Sequence, residues 1–338
     1  MTPSYDMLRT ALDEICRDGF FYVHLEPTNA CNTTCVMCPR DAMVRKMNMM
    51  SQEILEQVVT VLLPPQVPMV SIVGFGEPTL HPRLVEMIRY IKVRRPDIII
   101  KMTTNGSRLT PSFIDSVYEA GLDLMEISVV GTDPDAYKVA MGGLDLDTVR
   151  RAITYLNGTT HRYLLATFPQ DDASPDTLRQ YWTSQGARNI EVKGFHRRGG
   201  YLPQPVTLQL RGNPLGEYQP RPDTTHVLPD EKAQSTIPVD ACHKLYMFLH
   251  INAHGNLIPC VQEINNRNVL AHISEVHDFD EVRHLLRSHR PAFDICRGCE
   301  LQSQDQLDYY TRFLLNYFPE RVDRLVRSAF AQAKAHVS

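Results

Sequence analysis

Three cysteines, Cys31, Cys35 and Cys38, stand within eight residues in the run Glu26-Pro-Thr-Asn-Ala-Cys-Asn-Thr-Thr-Cys-Val-Met-Cys-Pro. A loop this short can wrap one face of a 4Fe-4S cube and supply thiolates to three of its irons, leaving the fourth without a protein ligand. An iron open in this way can bind and activate a small molecule, whereas a cluster held by four thiolates mainly carries electrons. A zinc site or unrelated surface cysteines is the competing reading of the triplet. A second set, Cys242, Cys260, Cys296 and Cys299, offers four thiolates, enough to close a site around either zinc or a fully ligated cluster. The eighth cysteine, Cys16, lies beside Leu12 and Ile15 in a helical pattern and reads as a buried structural residue.

The elements that must position these side chains follow an α/β pattern. Between Phe20 and Lys193, short apolar runs alternate with longer stretches of helical period, as in repeated βα units around a parallel sheet. The strand-like runs are Phe21 to Leu25, Met69 to Val73, Ile98 to Met102, Leu124 to Val130, Tyr163 to Phe168 and Asn189 to Val192. Helical stripes fall between them, the first running from Ile54 to Leu62 behind Ser51 as N-cap, then Leu84 to Ile91, Phe113 to Tyr118, Val149 to Leu156 and Leu178 to Trp182. Six units are too few for a closed eight-unit barrel, so the expectation is a partial (β/α)6 barrel with ligands at the carboxyl ends of its strands. The expected divisions are an N-terminal helical segment (1–20), the partial barrel (21–200), a proline-rich connector (201–240), a small cysteine-rich domain (241–302) and a C-terminal helix (303–338).

The cysteine triplet directly after an apolar strand resembles the radical S-adenosylmethionine (SAM) superfamily, and motifs at later strand ends extend the resemblance. Gly74-Phe75-Gly76-Glu77-Pro78 is similar to the superfamily's Gly-Gly-Glu-Pro motif, Thr103-Thr104-Asn105-Gly106 to its Thr-Asn-Gly segment, and Ser128 precedes a Gly131-Thr132-Asp133 turn. The resemblance implies that Cys31, Cys35 and Cys38 hold a 4Fe-4S cluster and that SAM binds its open iron. It further implies that Gly74, Gly76 and Glu77 receive the SAM ammonium, with Thr103, Asn105 and Ser128 near its carboxylate and ribose and Met37 beside the adenine. The implied chemistry is reductive cleavage of SAM to a 5'-deoxyadenosyl radical that abstracts a substrate hydrogen. The electron comes from an external reductant such as flavodoxin or ferredoxin. Gly255-x4-Cys260 followed by Cys296-x2-Cys299 resembles the Twitch domain, the shortened form of the SPASM domain, which implies an auxiliary 4Fe-4S cluster on Cys242, Cys260, Cys296 and Cys299; zinc stays open there.

Composition bounds the partners. The chain has 338 residues, is 43% hydrophobic, and carries 35 Lys and Arg against 39 acidic residues for a net charge of -4. That balance supplies no general field for nucleic acid or an anionic membrane. With no basic-then-apolar N-terminal pattern and no long uncharged apolar segment, the expectation is a cytoplasmic protein whose cysteines bind metal.

The resemblance extends to enzymes of aminocyclitol, aminoglycoside and nucleoside antibiotic biosynthesis. About twenty residues precede the first strand, too few for a leader-peptide-binding module, which favours a small substrate over a ribosomal peptide or protein. The implied reaction starts at a hydroxyl-bearing carbon and ends in dehydrogenation or in 1,2-diol dehydration, and both need a base. His196 and Arg197, just after the sixth strand, and Glu263, three residues after Cys260, are the candidates for catalytic groups. A non-enzymatic iron-sulfur protein is the remaining alternative.

Overall fold

The computed structural model describes residues 4–18, 21–169, 174–194, 247–288 and 306–335. Within them β1 (Tyr22–Leu25), β2 (Met69–Ile72), β3 (Ile99–Thr104), β4 (Leu124–Val130), β5 (Tyr163–Phe168) and β6 (Ile190–Val192) are all parallel and lie side by side in chain order. Every residue of β2 is buried and β1, β3 and β4 are nearly so, as expected for a parallel sheet covered by helices. The covering helices are α2 (Gln52–Gln57, running into a π-helical turn over Val58–Leu62), α3 (Leu84–Arg94), α4 (Pro111–Glu119), α5 (Pro134–Ala140), α6 (Leu146–Asn157) and α7 (Pro175–Ser184). Five begin on a side-chain cap with proline in the first turn or an acidic residue beside it: Ser51, Thr110, Asp133, Asp145 and Ser174 each accept a backbone N–H two or three residues on.

Alternation along the strands divides the interior in two. Val23, Leu25, Val70, Ile72, Ile100, Met102, Ile127 and Leu165 pack under the helices. The opposite face begins with Tyr22, Met69, Ile99, Leu124 and Leu164, which pack against α1 (Tyr5–Asp18) and the C-terminal helices. Leu8 and Leu12 of α1, with Tyr310 and Leu314, therefore close the amino end of the partial barrel and leave the carboxyl end to the loops.

Two features go beyond the sequence reading. The sheet does not end at β1: β7 (Phe248–Ile251) pairs parallel with it, Tyr22 opposite Phe248 and Leu25 opposite Ile251, and β8 (Asn256–Ile258) and β9 (Ala271–His272) follow antiparallel. The nine-stranded order is β6-β5-β4-β3-β2-β1-β7-β8-β9, so the first described part of the 241–302 region continues the barrel's own sheet. The expected single C-terminal helix is two, α9 (Gln306–Tyr317) and α10 (Pro319–Ala335), after α8 (Phe279–Ser288). Pro319 has no N–H to continue the first of them and instead opens the second. The connector 201–240 lies outside the described residues. Among the described residues, no helix is long and apolar enough to cross a membrane.

Candidate functional site: a cysteine loop at the carboxyl end of the sheet

The loop after β1 carries Cys31, Cys35 and Cys38, all half-buried. Backbone and side-chain bonds hold it from several sides: Val36 N–H donates to Ala140 O (3.0 Å), Thr33 Oγ1 to Met141 O, and Asn48 N–H to Asn29 Oδ1 (2.7 Å). Gly142 at φ +60 lets the turn after α5 press against it, since a Cβ there would lie 2.5 Å from Thr34 N. Burial, and then the neighbouring Cys38 and Cys31 sulfurs, push the Cys35 thiol up to about 12 despite the opposing Thr33 hydroxyl; burial raises Cys31 as well. Thiols that resist ionisation in each other's company become thiolates when a cationic centre sits among them. Three neighbouring thiols are a donor set of the chemistry that a shared iron-sulfur group takes, although among the described residues no three such side chains are gathered closely enough to hold a single metal ion; Met37, between Cys35 and Cys38 in sequence, packs half-buried against the core.

The glycine turn after β2 lies directly against this loop. A Cβ on Gly76 would fall 2.1 Å from Thr28 O and 2.5 Å from Ala30 O, and one on Gly74 would fall 2.3 Å from Glu26 Cγ. The glycines are required first by protein packing, a reason different from the ligand access inferred from sequence. Glu77, 2% exposed, turns inward. Its Oε1 accepts from Thr79 N–H (3.1 Å), Thr79 Oγ1 (2.8 Å) and Thr104 Oγ1 (2.6 Å), and its Oε2 from Asn105 N–H (2.8 Å). Burial raises its pKa, opposed by the Asn105, Thr104 and Thr79 donors. Asn105 carries the connection onward by donating to Asn32 Oδ1 (3.0 Å) in the cysteine loop. Glu77 and Asn105 thus weld the β1, β2 and β3 loops together, while Thr103 and Ser128 remain half-exposed on the barrel-facing side.

Three charged residues that the sequence reading passed over organise the same place. Glu26, buried, accepts from Phe75 N–H (2.9 Å), Ala253 N–H (3.1 Å) and both terminal nitrogens of Arg45 (2.7 and 3.1 Å). Arg40 donates to Phe75 O (2.9 Å) and Asn29 O (2.5 Å). Arg45 also donates through Nε to Ile264 O (2.6 Å). The only sequence signal for them was the acidic residue opening the cysteine motif.

Beneath the loops the barrel-facing side turns polar. Glu126 on β4 pairs with Lys101 on β3 (2.6 Å) and with Lys193 just past β6 (3.0 Å), and Lys193 reaches Glu191 (3.4 Å), which also accepts from Tyr309 OH (3.1 Å). Burial opposes ionisation of Glu126, but the two ammonium groups overcome it and hold the carboxyl down at about 2. Ser71, fully buried on the same face, has an Oγ with no hydrogen-bond partner among the described residues.

Of the second cysteine set, Cys260 is described; Cys242, Cys296 and Cys299 lie outside the described residues, as do His196 and Arg197. Gly255 at φ +85 forms the β7–β8 turn, its N–H donating to Asn252 O (2.9 Å), so β8 delivers Cys260 five residues later. The Cys260 loop is fastened to the segment after the cysteine triplet: Val44 N–H donates to Asn265 Oδ1 (2.8 Å) and Asn265 Nδ2 to Ala42 O (2.8 Å). Glu263, 1% exposed, is occupied within this loop by Asn265 N–H (3.0 Å) and Asn268 Nδ2 (2.6 Å).

Comparison with known proteins agrees with this geometry. The Radical SAM superfamily model matches residues 25–172. A probable GTP 3',8-cyclase of Thermococcus kodakarensis is 32% identical over 198 residues, which are 54% of this chain and 63% of that protein. Other curated relatives are matched over about two fifths of their length. In structure, Streptococcus suis SuiB bound to its precursor peptide SuiA aligns with TM-score 0.60 at 15% identity, covering 89% of this chain and 77% of SuiB. BtrN in complex with AdoMet and 2-DOIA aligns with TM-score 0.51 at 18% identity, covering 86% of this chain and 98% of BtrN. The cysteine triplet, the glycine turn and the Asn105 segment, each at the end of its own strand, all fall within residues 25–172, the part of the chain that is similar to the Radical SAM superfamily.

Proposed function

We propose that the chain is a radical SAM enzyme acting on a small polar substrate, of sugar, aminocyclitol or nucleoside type, at a hydroxyl-bearing carbon. Its domain works with a 4Fe-4S cluster and SAM, which together supply a radical able to abstract hydrogen from unactivated carbon. Cys31, Cys35 and Cys38 hold the cluster. The Gly74-Phe75-Gly76 turn presents backbone carbonyls to the SAM ammonium; Thr103 and Ser128 offer hydroxyls to its carboxylate and ribose, and Met37 lies by the adenine. Glu77 and Asn105 act one step back, since their polar atoms are spent on joining the loops.

The observation that carries the substrate class is the charged layer of Lys101, Glu126, Lys193 and Glu191 under those loops. Removing such groups from water costs several kcal/mol per ion, and a barrel made only for packing is filled with apolar side chains. Lys193 and Glu191, each 27% exposed, face the side on which a polyhydroxylated molecule would be gripped. The nucleotide-cyclase relative and the small-molecule complex of BtrN support that class.

His196, three residues beyond Lys193, is the base for the substrate hydroxyl, with Arg197 beside it; Glu263, its oxygens already engaged, shapes the Cys260 loop. Cys242, Cys260, Cys296 and Cys299 hold an auxiliary 4Fe-4S cluster in a Twitch-like arrangement. The test is mass spectrometry of a metabolite extract incubated with reconstituted enzyme, dithionite and SAM. A product lighter by two hydrogens assigns dehydrogenation; one lighter by water assigns diol dehydration. A second reading, peptide maturation, is favoured by the fold match to SuiB with its precursor peptide. A modified peptide and no changed small molecule in the same experiment would replace the first reading with it.

A further inference from the structure

We propose that the Glu26–Arg45 pair is a positioning device for the Gly74-Phe75-Gly76 turn, setting it by reference to the C-terminal hairpin that delivers Cys260. The proposal rests on the reading that this turn receives SAM. Four donors converge on the one Glu26 carboxylate from three separate segments: Phe75 N–H after β2, Ala253 N–H at the β7–β8 turn, and the Arg45 fork. The side chains are 5% and 3% exposed. A buried ion pair is poor cement, because apolar residues of similar size often stabilise as well; what a bidentate pair adds is direction. The direction here is specific. Phe75 is held at both peptide groups, its N–H by Glu26 and its C=O by Arg40 (2.9 Å), so the Gly74 carbonyl, in the same peptide as the Phe75 N–H, is aimed as well, while the Gly76 carbonyl is set by the next peptide, whose Glu77 N–H donates to Ala30 O (2.8 Å). The glycine at 74 leaves the space that the Glu26 side chain fills.

The same guanidinium reaches the other cysteine region. Arg45 Nε donates to Ile264 O (2.6 Å), four residues past Cys260, and Asn265 clips that loop to Ala42 and Val44. A continuous hydrogen-bonded path therefore runs from the Cys260 loop through Arg45 and Glu26 to Phe75. A path of contacts becomes coupling only when a perturbation at one end is read at the other.

Two variants make that measurement. In Glu26→Gln one carboxylate oxygen becomes an NH2 facing donors, so at least one of the three segments is released. In Ala253→Pro the hairpin's N–H is lost and a ring carbon takes its place facing Glu26 Oε2, at a fully buried position; position 253 follows Asn252 in a turn closed by Gly255 N–H to Asn252 O (2.9 Å), where the proline backbone is favoured. Each is reconstituted with iron and sulfide and assayed for iron content, for equilibrium binding of radiolabelled SAM, and for amide exchange of the 70–80 segment without SAM. The expected result is iron content as in wild type, SAM affinity weakened about tenfold or more in Glu26→Gln, a smaller loss in Ala253→Pro, and faster exchange of the 70–80 segment in both. SAM affinity and exchange equal to wild type in an iron-loaded Glu26→Gln protein overturn the proposal. If that variant does not fold, unchanged affinity and exchange in Ala253→Pro overturn it alone. A wild-type protein that binds no SAM sinks the functional reading instead, and exchange of the 70–80 segment then decides whether the clamp exists.

Discussion

Replacing Glu77 by glutamine tests whether the three loops are joined as described. Four donors meet its carboxylate, three on Oε1 and one, Asn105 N–H at 2.8 Å, on Oε2. The amide serves the Oε1 donors with its oxygen and turns its NH2 against Asn105 N–H. One hydrogen bond to a charged group is lost, about 1.5–3 kcal/mol, and a buried donor is left facing another, about 1–3 kcal/mol. Removing a charge that burial already disfavours, as the raised pKa records, returns part of this, so the expected net loss is about 2–4 kcal/mol. Each kcal/mol lowers the melting temperature of a chain of this order by roughly 2–4 °C, so a fall of about 5–10 °C is expected by calorimetry. Thr104→Val removes the 2.6 Å donor to Oε1 and the acceptor of Gly106 N–H (3.1 Å) and should cost about 1.5–3 kcal/mol. Because both changes act on one carboxylate, the double variant should lose less than their sum. A Glu77→Gln protein melting within about 1 °C of wild type, or strict additivity with Thr104→Val, would refute the weld.

Gly76→Ala should prevent accumulation of folded protein, since its Cβ would meet two backbone oxygens at 2.1 and 2.5 Å, whereas Gly194→Ala, with nothing within 4 Å, should melt as wild type; circular dichroism melts compare them. For Glu126, held at about 2 in the fold against 4.5 in the unfolded chain, the sign is that of a depressed carboxylate: its stabilisation is complete above pH 4.5 and disappears as pH falls through about 2. Glu126→Gln should therefore be less stable than wild type at pH 7, because the buried Lys101 ammonium loses its carboxylate and Lys193 keeps only Glu191 at 3.4 Å, and the gap should close toward pH 2 in acid-denaturation profiles. Serine at Cys31, Cys35 and Cys38 together should abolish the iron site of the triplet after reconstitution, while any iron held by the downstream cysteines persists, read by iron analysis and visible absorption.

Much of the site was legible because its signals are local. Cysteine spacing, Gly-x-Gly at a strand end and Asn-Gly at the next mark sharp turns whatever lies around them, and their order along alternating elements implied the parallel sheet. What sequence could not reveal was long-range or spent on other work. Glu26 meets Arg45 nineteen positions on, Phe75 forty-nine on and Ala253 two hundred and twenty-seven on, and no pattern connects them. Glu77 and Glu263 looked available as carboxylates, yet their oxygens are occupied by neighbours two to twenty-eight positions away. β7 escaped notice because Phe-Leu-His-Ile is four residues long and sits beside cysteines that drew a metal-site reading. Its pairing with β1 appears only when the partner strand is placed.

The central claim is that the cysteine triplet and the strand-end loops make a centre that cleaves SAM. Anaerobically reconstituted protein incubated with dithionite and SAM tests it by chromatographic detection of 5'-deoxyadenosine. The account predicts that product from the wild-type chain and none from the variant with Cys31, Cys35 and Cys38 replaced by serine. Fully iron-loaded wild-type protein that yields no 5'-deoxyadenosine, or a triple variant that yields as much, would contradict it.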